Sequence, residues 1–242
     1  MAVDEVLMDS ARAGQTTLRL YGWEPGCLSF GRNQTARGRY DGARAAERGI
    51  DVVRRPTGGR TVFHHRELTY SVTGPVETWG GLRSAYLRIN RALAAGLRAL
   101  GVPARVVDER GNGPIPRPTV RACFRDPLPG EVIVGGRKLI GSAQWRDGGA
   151  LLQHGSVLLH NDQSTVEDLR IGGARGAEVP AAGLAEYLDP LPDTDTIAAA
   201  LSVSFAADLG FAVTRGELAE AELEAADRRL ARYEDDAWTW RR

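Results

Sequence analysis

Cysteine is scarce in this chain. Its 242 residues include two, Cys27 and Cys123, which are far apart and in no CxxC pair. That excludes a disulfide framework and points to a cytoplasmic protein with reduced thiols. The four histidines, His64, His65, His154 and His160, lack finger-like spacing with the cysteines, so no structural metal is expected. There is no charge excess, with 31 Lys+Arg against 31 Asp+Glu, whereas a nucleic-acid binder of this size usually carries a basic surplus. No apolar run approaches the length of a membrane span. The opening MAVDEVLMDSARAG is acidic early and lacks the basic-then-apolar order of a signal peptide.

The composition that remains, 43% hydrophobic and 26% charged, is that of an ordinary globular protein with ample material for a core. One domain over 1–242 is expected, helical from about 190 onward. Periodicity predicts helices over 2–13, 36–48 (weak, interrupted by glycines), 82–100, 164–170, 194–209 and 216–233. The segment 82–100 is the clearest, with Leu82, Tyr86, Ile89, Leu93, Leu97 and Leu100 in register before Gly101. Strands are predicted in TTLRLYGW and CLSFG, which are separated by a turn at Glu24-Pro25-Gly26. Others are predicted within IDVVRRPTGGRTVFHHRELTYSVTG, and in ARVV, EVIVGG, KLIGSAQWR and ALLQHGSVLLH, the last pair joined by a DGG hairpin. Residues 171–183, rich in Gly, Ala and Pro, read as a mobile connector. A mixed β-sheet with flanking helices makes the expected class α+β.

Several segments could carry chemistry. In RRPTGGRTVFHH, Arg54 and Arg55 precede a turn whose Gly58 and Gly59 allow close backbone approach, a pattern that suits a carbonyl or phosphate oxygen. A plain strand-connecting turn fits it equally. In GGRKLIGSAQ, Lys138 opens a strand and the small Gly141, Ser142 and Ala143 would let a ligand lie against the backbone. Lys138 is then either a donor to a reacting carbonyl or a solvated hairpin lysine. His64 and His65 point to opposite faces of one strand, so at most one of them faces a given site. His154 follows an apolar pair in a strand and, on its own, reads as a hydrogen-bonded strand histidine rather than a catalyst. Cys27, among apolar neighbours, reads as buried packing. Cys123 lies in a proline-rich loop running from about Asp108 to Gly130, between Arg121 and Arg125, whose charge favours the reactive thiolate.

In order along nearly the whole chain, MAVDEVLM, LRLYGWEPGCLSFGRNQ, VVRRPTGGRTVFHHRELTYSV, ACF, VGGRKLIGSAQWRDGGALLQHGSVLL and YEDDAWTWRR resemble the lipoate/biotin protein ligase superfamily. The strongest likeness is to octanoyltransferases of the cysteine-using LipM type. The resemblance implies an α+β catalytic domain with an acyl tunnel. It also implies transfer of an octanoyl group from octanoyl-acyl-carrier-protein, through a thioester, to a lysine of a lipoyl carrier protein (glycine cleavage H protein or E2 domain), without cofactor. Cys123 in ACF matches the thioester cysteine and Lys138 the site lysine that holds the acyl carbonyl. The RRPTGG glycines and the GSA segment match the walls of the acyl site. Such chains usually have a strand before the segment resembling MAVDEVLM, so either residue 1 is an internal start or an edge strand is lost. The Cys123 loop is also richer in proline than the family pattern, with Arg125 after CF.

Three rival readings remain. An ATP-dependent lipoate–protein ligase needs no cysteine, typically has a third glycine where Arg60 stands, and often carries a C-terminal accessory domain. An octanoyl amidotransferase between H protein and E2 domains also uses a cysteine. A non-catalytic carrier-domain binder would need neither Cys123 nor Lys138. Arg37, Arg39, Arg44, Arg54, Arg55, Arg121 and Arg125 are candidates for docking an acidic carrier, or simply a solvated face.

Overall fold

Apolar side chains recurring every three or four residues bury one stripe of a helix, and alternation buries one face of a strand. Both patterns converge on a single large sheet in the computed structural model, which describes residues 1–107, 124, 127–210 and 212–242. Cys123, Arg121 and Arg125 lie outside the described residues. The helices are α1 (Ala2–Arg12), α2 (Gly42–Glu47), α3 (Leu82–Ala99), α4 (Ser164–Leu169), α5 (Thr194–Leu209), α6 (Glu220–Glu234) and α7 (Asp236–Thr239). The strands are β1 (Thr17–Tyr21), β2 (Cys27–Phe30), β3 (Asp51–Arg54), β4 (Val62–His64), β5 (Glu67–Pro75), β6 (Arg105–Val106), β7 (Val132–Val134), β8 (Arg137–Asp147) and β9 (Ala150–Leu158).

A six-stranded antiparallel sheet runs β1-β5-β9-β8-β7-β6. A three-stranded sheet runs β3-β2-β4, and it holds the parallel pairing, between β2 and β3. The expected mixture of strand directions is therefore divided between two sheets. The two strands flanking Glu24-Pro25-Gly26 do not pair with each other: β1 edges the large sheet while β2 is central in the small one.

One face of the large sheet is covered by α3, with α5 packed behind it. Leu93 and Leu97 of α3, Leu201 of α5 and Tyr70, Ile140 and Val157 of the sheet share one core. Each such leucine contributes about 1.5–3 kcal/mol through burial. Among these apolar side chains lies a polar knot. Asn90 of α3 donates to the Gly130 carbonyl at 2.8 Å and accepts from Ser142 and Gln153, both at 3.2 Å. The opposite face carries α1 and the small sheet, with α6 packed on α1. The candidate residues His64, Gly141, Ala143 and His154 lie between the two sheets.

The weak helix expected over 36–48 is shorter, Gly42–Glu47. Gly38 adopts a φ of 68°, and Asp41 caps the helix by accepting from the Arg44 amide. The connector over 171–183 has neither helix nor named strand, but its end is not loose. Val179, Ala181 and Ala182 are buried, and Ala182 donates to the Lys138 carbonyl at 2.9 Å. Among the described residues, no helix is long and apolar enough to cross a membrane.

Candidate active site

The inner face of the large sheet is built from alternate residues of four strands. In register they give the row Tyr21–Thr69–Ser156–Gly141, which crosses β1, β5, β9 and β8. The small sheet closes over this row through Val62, His64 and Arg55. Together they enclose a narrow cavity of about 30 Å³, also lined by Ser142, Ala143, His154 and Trp23. Of the residues singled out by sequence, the fold thus gathers Arg55, His64, Gly141, Ser142, Ala143 and His154 around one space. A larger open groove of about 1050 Å³, between α2, β3 and Trp240, contains none of these six; the docking candidate Arg37 lines it.

Two buried histidines sit in this region, each held from both ring nitrogens. His64 Nε2 is 2.7 Å from Ser29 Oγ, and its Nδ1 is 2.8 Å from Glu67 Oε1. Trp23 stacks on the His64 ring at 4.6 Å and donates its indole N–H to Thr69 Oγ1 at 2.8 Å. The order Ser–His–Glu is that of a hydrolase triad. Ser29, however, is fully buried, and its hydroxyl also accepts from Arg55, so a substrate carbonyl has no approach to it. His65 points the other way, exposed, onto Asp162 at 3.0 Å.

His154 Nε2 is 2.6 Å from Thr57 Oγ1 of the RRPTGG turn, and its Nδ1 is 3.6 Å from Asp4 Oδ2. Burial, with Arg55 adding to it, lowers the His154 pKa against the pull of Asp4, which favours the neutral ring. Asp4 is completely buried and accepts from Arg19 and Ser71. Burial alone would raise its carboxyl. The charge of the N-terminal ammonium first, then the hydrogen bond from His154 and the Arg19 guanidinium, hold it well below the usual carboxylate range instead.

The two arginines of RRPTGG part company. Arg55 lines the cavity and builds the turn, donating to the Ser29, Gly58 and Arg60 carbonyls. Arg54 does not reach the cavity. It is fully buried and donates to the carbonyls of Gly31, Gln34 and Thr239, tying the 31–34 turn and the C-terminal segment to β3. Burial, with the charges of Arg241 and Arg242 nearby, lowers its pKa to about 10. Neither arginine offers an exposed charge for carrier docking, because a guanidinium committed to buried carbonyls is withdrawn from solvent; Arg37 and Arg39 are exposed. Gly58 and Gly59 flank the cavity without lining it. Gly59, at φ 94°, packs so closely that a Cβ on Gly31 would lie 2.0 Å from its carbonyl oxygen.

Lys138 is buried at the Gly141 end of the row. Its Cε lies 3.4 Å from where a Gly141 Cβ would be, and its ammonium sits 5.2 Å from the centroid of the fully buried Phe124 ring. By strict alternation, positions 138 and 141 would face opposite sides of the sheet. A register shift between β7 and β8 pairs Val132 with Ile140 but Ile133 with Lys138, so Leu139 is an extra residue. Leu139 and Ile140 consequently both enter the helix-side core, and Lys138 turns to the cavity side. Its Nζ donates to Glu131 Oε1 at 2.6 Å. Cys27 is buried, as expected, and burial pushes its thiol well above the ordinary range.

Sequence reasoning missed Ser29, Glu67, Thr69, Ser156, Trp23 and Glu131. All but Glu131 lie within the quoted motifs, but nothing in those motifs singles them out, because their places follow from strand register and from the stacking of two sheets.

The family model of the lipoyl protein ligase A/B catalytic domain matches residues 1–206. The octanoyltransferase LipM of Kyrpidia tusciae is 39% identical over an alignment covering 100% of this chain and 94% of the relative. The same enzyme of Symbiobacterium thermophilum is 38% identical, covering 100% and 93%. A crystal structure of lipoate-protein ligase A bound with ATP superposes with a TM-score of 0.79 at 24% identity, covering 99% of this chain and 92% of that one. The bi-partite lipoate protein ligase of Thermoplasma acidophilum gives a TM-score of 0.75 at 21% identity, covering 99% and 89%. At those identities the two structures speak for the fold alone. The family match and the full-length relatives agree with the two-sheet site: this chain belongs to the lipoyl protein ligase A/B catalytic domain family.

Proposed function

We propose that the chain is an octanoyltransferase of protein lipoylation, working as one catalytic domain in the cytoplasm. It takes octanoyl from octanoyl-acyl-carrier-protein onto Cys123 and passes it to a lysine of a lipoyl carrier domain, that of the glycine cleavage H protein or of an E2 subunit. The observation that carries this reading is the place of Phe124. This residue follows Cys123 in the chain, and it packs over Gly141 and beneath Lys138 at one end of the cavity row. The full-length relatives named octanoyltransferase support the acyl group.

The row supports an acyl chain of this length. Neighbouring strands lie about 4.8 Å apart, so Gly141 to Thr69 spans roughly 9.6 Å. An eight-carbon chain has seven bonds, and at about 1.2 Å of extension per bond it spans roughly 8–9 Å. A chain with its carbonyl beside Lys138 and Gly141 would end at Thr69, against Trp23. The cavity is narrower than such a chain, so its walls part when the chain enters.

In the first step the Cys123 thiolate forms a bond to the donor's thioester carbonyl. The C–S bond to the carrier breaks, its sulfur leaves as a thiolate that takes a proton from water, and one thioester replaces another. In the second step the amine of the target lysine attacks. The C–S bond breaks, the Cys123 thiolate is released and the new amide gives up a proton. The Lys138 ammonium stabilises the tetrahedral oxyanion in both steps, a contribution worth about a hundredfold or more in rate. Thioester to amide is downhill, so no ATP enters.

Intact-mass analysis after incubation with octanoyl-acyl-carrier-protein, without ATP, tests the reading. A hydroxylamine-labile octanoyl adduct is expected on the wild type and none on Cys123→Ser. An equal adduct on Cys123→Ser, or product formed only with ATP, would sink the proposal and favour the ligase. Offering apo H protein and apo E2 domains separately distinguishes the acceptor.

A further inference from the structure

Lys138 is the only lysine in the chain, and it is 1% exposed. An ammonium taken out of water tends to lose its proton, because burial penalises the charged form. Here a carboxylate is built in beside it. Glu131 is itself buried, and Oε1 accepts from Lys138 Nζ at 2.6 Å while Oε2 accepts from the Leu128 amide at 2.8 Å. Its backbone is clamped as well. The Glu131 carbonyl accepts from Val107 at 2.8 Å, its amide donates to Leu128 at 3.1 Å, and the preceding carbonyl of Gly130 accepts from Asn90. The carboxylate therefore has little freedom to follow the lysine. The lysine must come to it.

We propose that Glu131 is the positioning residue of Lys138, keeping its ammonium charged and aimed past Gly141 at the acyl site. Glu131 does not line the cavity, so it acts through Lys138 rather than on substrate. The β7–β8 bulge turns the lysine to the cavity side, and Glu131, fixed just ahead of β7, meets it there. Tyr70 on β5, which feels the Glu131 charge, is held by Ser142 and Gln153. Arg137 is turned outward onto Glu186 and Tyr187, and His154 on β9 is held by Thr57 and Asp4. The catalytic consequence rests on the octanoyl-transfer reading; the control of charge does not.

Because there is one lysine, protein labelled with 13C,15N-lysine gives a single side-chain signal. Its Cε shift, followed from neutral to strongly alkaline pH, reports the Lys138 charge directly. In Glu131→Gln the titration midpoint is expected about one pH unit or more below wild type. Equal midpoints overturn the proposal. If Glu131→Gln fails to fold, Glu131→Asp serves: its shorter arm lengthens the pair, and its midpoint must also fall. In single-turnover octanoylation, Glu131→Gln should react about tenfold or more slowly, with KM little changed. The alkaline limb of its pH profile should move to lower pH, since the required ammonium is lost earlier. In a Lys138→Met background, Glu131→Gln should cost nothing further, and an additive loss would refute action through Lys138. A wild type that forms no octanoyl adduct defeats the transfer reading, while the lysine titration still decides the role of Glu131.

Discussion

Replacing Gly141 by alanine adds one methyl at the point where strand, aromatic ring and lysine converge. The new carbon would lie 2.7 Å from Phe124 Cζ and 2.9 Å from its Cε2. Carbon contacts relax at about 3.5–4.0 Å, so the ring must retreat by about 1 Å. The end of an exposed ring would do so at little cost, but Phe124 is fully buried within the small-sheet core. Overpacking of this kind costs about 1–3 kcal/mol, which in a chain of this size lowers Tm by roughly 3–10 °C. The ring is also the face under the Lys138 ammonium, and Lys138 Cε lies 3.4 Å from the added methyl. A displacement near 1 Å at a reacting centre costs roughly ten- to hundredfold in rate. Thermal unfolding and single-turnover octanoylation read the two effects separately. Gly58→Ala is the control, since a Cβ there meets nothing within 4 Å and its stability should stay within about 0.5 kcal/mol of wild type. If Gly141→Ala melts and reacts like wild type, or if the control falls as far, the assigned packing of Phe124 is wrong.

Gly155→Ala should be worse than Gly141→Ala by calorimetry, because its methyl would lie 2.3 Å from the Gly141 carbonyl oxygen and force the β8–β9 ladder apart. Trp23→Ala should relax chain-length selectivity, raising kcat/KM for decanoyl over octanoyl donors; an unchanged ratio in a competition assay would place the chain end elsewhere. Asp4 has a folded carboxyl well below the range of an unfolded aspartate, so its stabilisation is present above about pH 4 and lost as pH falls further. Asp4→Asn should therefore melt lower at pH 7 and show a flatter acid limb of Tm against pH, and parallel limbs would contradict the charge network. Arg54→Met strips three buried carbonyls of their donor and should cost about 3 kcal/mol or more in urea unfolding, with KM for the acyl donor unchanged.

Much of this was legible in the chain itself. The stripe Ile89, Leu93, Leu97 specifies α3 whatever surrounds it, and the paired glycines at 135–136 and 148–149, all at positive φ, specify tight hairpins on either side of β8. The burial of Cys27 follows from its apolar neighbours. The ordered motifs were enough to bring these candidate residue types to notice, because the chemistry of a small-residue strand or a glycine turn is local. Arg54 shows the limit of that reasoning. Two adjacent arginines look alike in sequence, yet strand alternation sends one to the cavity and the other beneath the C-terminal segment.

Face and register are not local. The strands either side of Glu24-Pro25-Gly26 read as neighbours along the chain, but each finds its hydrogen bonds in a different sheet. A single extra residue at Leu139 decides that Lys138 shares a side with Gly141, and nothing in GGRKLIGSA announces it, because a bulge exists only relative to a partner strand. The same holds for Tyr21, Thr69, Ser156 and Gly141, four residues from four distant segments that become one row through pairing alone. The sequence by itself determined the elements and the chemical groups on offer. Tertiary structure decided which face each group is on and which partner it meets, since those depend on contacts between residues far apart in the chain.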